Sequence, residues 1–174
     1  METTQENAAE QVVFFRQKDD RWKSDALGDS IYHMADSGCL TCCVAAALQM
    51  QQISVDGLPE NADAGEVNQF FSERGVYDRC GQSSVGDAGT DCRCFCPETG
   101  RGGIAGRRTG SGTGSGRYPI VRVKMPKSGS YHYVLLVGSA DGTYLCMDPL
   151  QTKEQTVPLS DFGGKIYAVR VLQS

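Results

Sequence analysis

Gly38-Cys39-Leu40-Thr41-Cys42-Cys43-Val44-Ala45-Ala46-Ala47-Leu48-Gln49-Met50 is the run on which the reading of this chain turns. Its residues are small or unbranched for the most part, and nearly all of them are apolar. That composition predicts a helix over 39–51, and a helix that is apolar on every side is a buried one. Gly38 punctuates the chain just before it. The helix therefore opens on a thiol. A free thiol with a pKa near ~8.5 is mostly protonated at neutral pH, and the thiolate is the nucleophile. A helix N-terminus lowers that pKa, and so does an imidazolium beside it.

The second informative stretch supplies that imidazole. Tyr131-His132-Tyr133-Val134-Leu135-Leu136-Val137-Gly138 reads as a strand, and Met147-Asp148-Pro149 ends another. A carboxylate on the far side of an imidazole holds its tautomer and steadies its charge. A thiol at a helix start, an imidazole at a strand start and a carboxylate at a strand end are the parts of a Cys-His-Asp hydrolase. The link from His132 to Asp148 suits two adjacent strands joined by the Asp141-Gly142 turn, since Asp-Gly between apolar runs is a hairpin signal.

Outside these stretches, Val12 to Phe15 reads as a short strand. Gln17 to Trp22 reads as a polar turn, and the stretch to Ser37 as loop. Asp63 with Glu66 resembles a capping box. Val67, Phe70 and Phe71 then form an amphipathic stripe, and Gly75 suits the position after the last turn. Strands are expected at 118–125, 131–137, 143–147, 155–158 and 165–172. Helices first and antiparallel strands later is the α+β pattern.

With 174 residues, the chain is long enough for one domain with a real core and too short for two large ones. A formal net charge of −4 argues against a nucleic-acid partner bound by phosphate neutralisation. No apolar run approaches the ~20 residues of a membrane span, and the acidic start Met1-Glu2-Thr3-Thr4 lacks the features of a secretory signal. The expectation is a cytoplasmic chain with reduced thiols, residues 1–11 a disordered leader and 12–174 a single domain.

Residues 79–116 break that pattern. These 38 residues hold 11 of the 21 glycines and 4 of the 8 cysteines, with only Val85, Phe95 and Ile104 as large apolar side chains. Such a stretch buries too little apolar surface to offset its ordering entropy. Three readings stand open for it. It is a flexible insertion, a metal site built from Cys80, Cys92, Cys94 and Cys96, or the product of a compensated pair of frameshifts. The Cys-x-Cys-x-Cys spacing departs from the usual zinc pattern.

Gln17-Lys18-Asp19-Asp20-Arg21-Trp22, then Gly28, then Gly38-Cys39-Leu40-Thr41 opening an alanine-rich helix, resembles the N-terminal half of C39-like, papain-like cysteine peptidase domains. His132 to Gly138 with Asp148-Pro149 is similar to the second half. The resemblance spans 12–78 and 117–172 and implies a papain-like α+β fold. It implies Cys39 as nucleophile, His132 as general base and acid, and Asp148 as the group that orients His132. Gln17 would share an oxyanion hole with the Cys39 N–H. No cofactor is needed. The implied substrate is a peptide or related amide in a bacterial or phage setting, with peptidoglycan cross-bridges one candidate. Two other readings stay open: a catalytically silent domain that binds peptides or proteins, and a transglutaminase- or deamidase-like acyl transferase. No nucleic-acid or membrane partner is expected.

The same residues have plainer roles. Cys42 and Cys43 read as core, Trp22 as a core plug, Asp19-Asp20 as a solvated turn, and His33 as a surface or cleft-wall residue and the alternative base.

Overall fold

The computed structural model describes residues 11–77, 106–108 and 117–172. A one-turn helix α1 (Met34–Ser37) leads through Gly38 into α2 (Cys39–Met50). Strand β1 (Ile53–Val55) and helix α3 (Ala64–Glu73) follow. Strand β2 (Gly106–Arg108) pairs antiparallel with β1. The second half of the chain is β3 (Ile120–Lys124), β4 (Tyr131–Ala140), β5 (Thr143–Met147), β6 (Val157–Pro158), a 3-10 turn (Leu159–Phe162) and β7 (Ala168–Arg170). These last five strands form one antiparallel sheet in the order β6-β5-β4-β3-β7. The fold class is α+β.

Strand alternation gives the sheet two apolar faces. Ile120, Leu135 and Met147 belong to a core shared with α2, α3 and Trp22, while Val121, Val123, Val134 and Cys146 meet Val157, Leu159 and Phe162 on the other side. Helix α2 lies against β4, β3 and α3. Every residue from Leu40 to Leu48 is buried, and the small side chains of Ala45, Ala46 and Ala47 let its backbone come close to its neighbours.

The local signals at α3 hold. Asp63 accepts from the Glu66 N–H at 2.9 Å and Glu66 accepts from the Asp63 N–H at 2.9 Å, so the capping box is complete. Gly75 follows the helix with φ +62°. Between β4 and β5, Asp141 (φ 50°) and Gly142 (φ 77°) make the two-residue turn with both residues left-handed, which matches the right-handed twist of the flanking strands.

Four expectations are corrected. Val12 to Phe15 is not a strand. Among the described residues it finds no neighbouring strand and docks instead by its side chains: Phe15 packs edge-on against Trp22 at 5.9 Å. The stretch before Ser37 is not all loop, because α1 lies within it. The last strand is shorter than 165–172. In the Asp19-Asp20 pair, only Asp20 is solvated. The Asp19 side chain is 11 % exposed and accepts from the Arg21 backbone N–H, Nε and Nη2, each at 3.0 Å, and the hydrogen bonds from Arg21 hold its carboxyl below the usual range against the opposing effect of burial.

Among the described residues no helix is long and apolar enough to cross a membrane. Apart from the backbone of β2, segment 79–116 and its three readings lie outside the described residues, as does the expected leader except for its last residue. Cys80, Cys92, Cys94 and Cys96 lie outside them too.

Candidate active site

Gly38 sets where the thiol stands. Its N–H donates to Met34 O at 2.9 Å, and a Cβ there would lie 2.5 Å from Met34 O and 2.8 Å from Met34 Sδ. Only glycine lets α1 run this closely into α2. Cys39 is then the first residue of α2 and half-buried, with its first-turn N–H groups pointing past it. One turn on, Cys43 Sγ reaches Tyr133 O at 3.6 Å. That contact ties α2 to the start of β4 and leaves Cys39 beside His132, close enough for the thiol to help raise the imidazole pKa.

His132 and Asp148 meet in a buried pair. His132 Nε2 lies 2.6 Å from Asp148 Oδ1, and their residues are 3 % and 5 % exposed. Their strands are neighbours in the sheet, with Leu135 opposite Met147. The Leu150 N–H donates to Asp148 Oδ1 at 2.9 Å, and Gln151 Nε2 approaches Oδ2 at 3.4 Å. Phe162 closes over the imidazole with ring centroids 6.3 Å apart.

The electrostatics follow from these contacts. Burial pushes the His132 imidazole down, but its hydrogen bonds to Asp148 and Cys39 and the charges of both win, holding it up at about 9. Burial raises the Asp148 carboxyl, and the His132 hydrogen bond and charge with the Leu150 N–H outweigh it, leaving it below its usual value. Because Nε2 faces the carboxylate, Nδ1 is the atom left for the thiol.

Gln17 is 3 % exposed and lines the same cleft as Cys39 and His132. Its backbone N–H donates to Pro149 O at 3.0 Å, and its Nε2 to Ala35 O at 2.8 Å. The loop carrying Gln17 is thus pinned both to the residue after Asp148 and to α1. Its Oε1 is buried without a hydrogen-bond partner among the described residues. The four residues expected of the site are therefore together.

Among the described residues, the other thiols do not compete. Burial raises Cys42 and Cys43 well above the ordinary thiol range, and pushes Cys146 up to about 12. His33 is half-exposed, with Nδ1 3.6 Å from Asp36, and takes no part in the Cys39 cluster. Trp22 is a core plug, 2 % exposed, with Nε1 donating to Arg16 O at 2.9 Å.

The cleft in front of Cys39 has a volume of about 670 Å³. Leu40, Met125, Tyr131 and Leu150 give it apolar and aromatic surface, and Thr41 with Tyr77, linked hydroxyl to hydroxyl at 2.8 Å, form part of one wall. Sequence reading passed over Arg170 and Tyr133, which line it as well. Their signal is strand parity: Arg170 alternates in step with the buried Leu172, so a cation falls where an inward residue belongs. Among the described residues no cluster of three metal-ligating side chains occurs. Compared with protein-family models, with curated proteins and with solved structures, the chain matches none.

Proposed function

We propose that this chain is a papain-like cysteine hydrolase that cleaves a peptide or related amide bond. The observation that carries the reading is the buried 2.6 Å pair of His132 and Asp148, with Cys39 beside His132 at a helix start and the cleft open in front of it. Cys39 Sγ gives its proton to His132 Nδ1, and the imidazolium is stabilised by Asp148. The thiolate attacks the substrate carbonyl, and the oxygen that becomes negative is met by N–H groups at the start of α2 and by the Gln17 amide. His132 then protonates the leaving amine, and the thioester on Cys39 is released by water with His132 as base. No cofactor enters these steps.

One observation favours the second reading, a domain that binds peptides without turning them over. Gln17 Nε2 already donates to Ala35 O, so one of its two N–H groups is spent inside the protein. An acyl transfer to an amine uses the same three groups and differs only in what attacks the thioester.

The test is the alkylation rate of each cysteine against pH, read peptide by peptide, in the wild type and in His132→Ala. Cys39 is expected to react fast at pH 6 and to slow when His132 is lost. If Cys39 is slow at pH 6 and indifferent to His132, the hydrolase reading fails and the binding reading stands. Cys39→Ala is expected to abolish turnover and leave the circular dichroism spectrum unchanged.

A further inference from the structure

Arg170 is 8 % exposed and stands in the wall of the cleft. Its Nη2 donates to the Tyr133 hydroxyl at 3.0 Å, and the guanidinium carbon lies 5.0 Å from the Tyr133 ring centroid. Its buried Nη1 has no hydrogen-bond partner among the described residues. Among the described residues, then, the only group that satisfies this cation is a neutral phenol and its ring. Burying a charge without a counter-charge is costly, and natural folds pair such groups or use them. A guanidinium offers its donors as a planar fork that fits a carboxylate. Here one edge of the fork is steadied by Tyr133 and another is left unused.

The surroundings point the same way. Lys18 and Arg122 also line the cleft. Its acid, Asp36, is engaged elsewhere, accepting from the His33 N–H at 3.1 Å. The chain as a whole carries a net charge of −4, so cations gathered in this cleft run against the overall balance. Tyr133 and Arg170 line the same cleft as Cys39 and His132, so a substrate seated there can meet the cation and the thiol at once.

We infer that Arg170 and Tyr133 form a carboxylate subsite of the cleft, which holds the substrate by an acidic side chain or a chain-terminal carboxylate while its scissile bond lies at Cys39. This deepens the proposed function and rests on the cleft being where a peptide binds.

The experiment uses the full chain carrying Cys39→Ala, so that turnover has no part in it. Four small probes are titrated and followed by backbone amide chemical shifts: N-acetylglutamate, N-acetylglutamine, N-acetylglutamate α-amide and N-acetylglutamine α-amide. A carboxylate-bearing probe is expected to bind at least ~10-fold tighter than the neutral diamide. Arg170→Met is expected to erase that difference while leaving the unfolding midpoint unchanged or raised, because it removes a buried unpaired charge. Preference for N-acetylglutamine identifies a terminal carboxylate as the ligand, and preference for the glutamate α-amide identifies an acidic side chain. Binding no tighter than the diamide for every probe overturns the subsite. So does a preference that survives Arg170→Met, and so does an Arg170→Met protein that unfolds, which makes the arginine a structural member of the wall. Because binding is read without Cys39, a carboxylate preference in a chain whose wild-type thiol is inert keeps the subsite and discards only the hydrolase.

Discussion

His132 and Asp148 hold each other charged in a place where burial opposes both. For His132, with a folded value of about 9, the stabilisation is fully present below the unfolded value of ~6.5 and is lost as pH rises through 9. Asp148 contributes in the other sense: its stabilisation is present above ~3.9 and is lost as pH falls below it. Between pH 6.5 and 9 the unfolding free energy of the wild type is therefore expected to decline, by about 3 kcal/mol at the outside. Asp148→Asn is expected to flatten that decline, measured by urea unfolding at a series of pH values. An equal slope in both proteins would show that the pair does not carry the effect.

At the scale of elements, the junction of α1 with α2 is the sensitive point. Gly38→Ala puts a methyl group 2.5 Å from Met34 O, and one helix must move off the other. The expected cost is about 2 kcal/mol of stability, typical of overpacking against backbone, with a loss of Cys39 alkylation at pH 6 that exceeds any loss in helix content. Gly142→Ala is a control of similar chemistry in another place. Its φ is +77° and nothing lies within 4 Å of the new Cβ, so only the left-handed backbone resists, at about 1 kcal/mol. Thermal unfolding is expected to register that loss while Cys39 reactivity stays as in the wild type. A drop in Cys39 reactivity in Gly142→Ala would mean that the β4–β5 hairpin, and not the helix junction, positions the thiol.

At the scale of the whole molecule, three buried thiols among the described residues report on two cores. Cys42 and Cys43 lie in the core between α2 and the sheet, and Cys146 lies in the core on the opposite face, all at 0 % exposure. If the sheet unites both cores in one cooperative unit, the three become alkylated at one urea midpoint, coincident with the loss of circular dichroism. Two midpoints, with Cys146 reacting first, would show the second core opening on its own. Leu135→Ala, at the centre of β4 and fully buried, is expected to lower that common midpoint by about 3 kcal/mol.

The sequence by itself determined the elements whose signals are local. The alanine-rich run made α2, Asp63 with Glu66 started α3, Gly75 ended it, and Asp141-Gly142 turned β4 into β5, because caps, turns and side-chain period act over a few residues. It also marked Cys39, His132 and Asp148, since each stands at or beside an element end where such signals are strong, while Gln17 came only with the family resemblance. Only the tertiary structure decided which residues share the cleft. Val12 to Phe15 has the composition of a strand but lacks a partner for its backbone, and pairing is a long-range matter. Asp19 looks solvated until Arg21 folds back on it. Arg170 looks like an ordinary strand cation until the sheet turns it inward, onto Tyr133 from a different strand. Gln17 is pinned by Pro149 and Ala35, contacts that span most of the chain and a helix junction in turn. Burial and the pairing of charges depend on distant residues meeting, and a linear pattern does not carry that information.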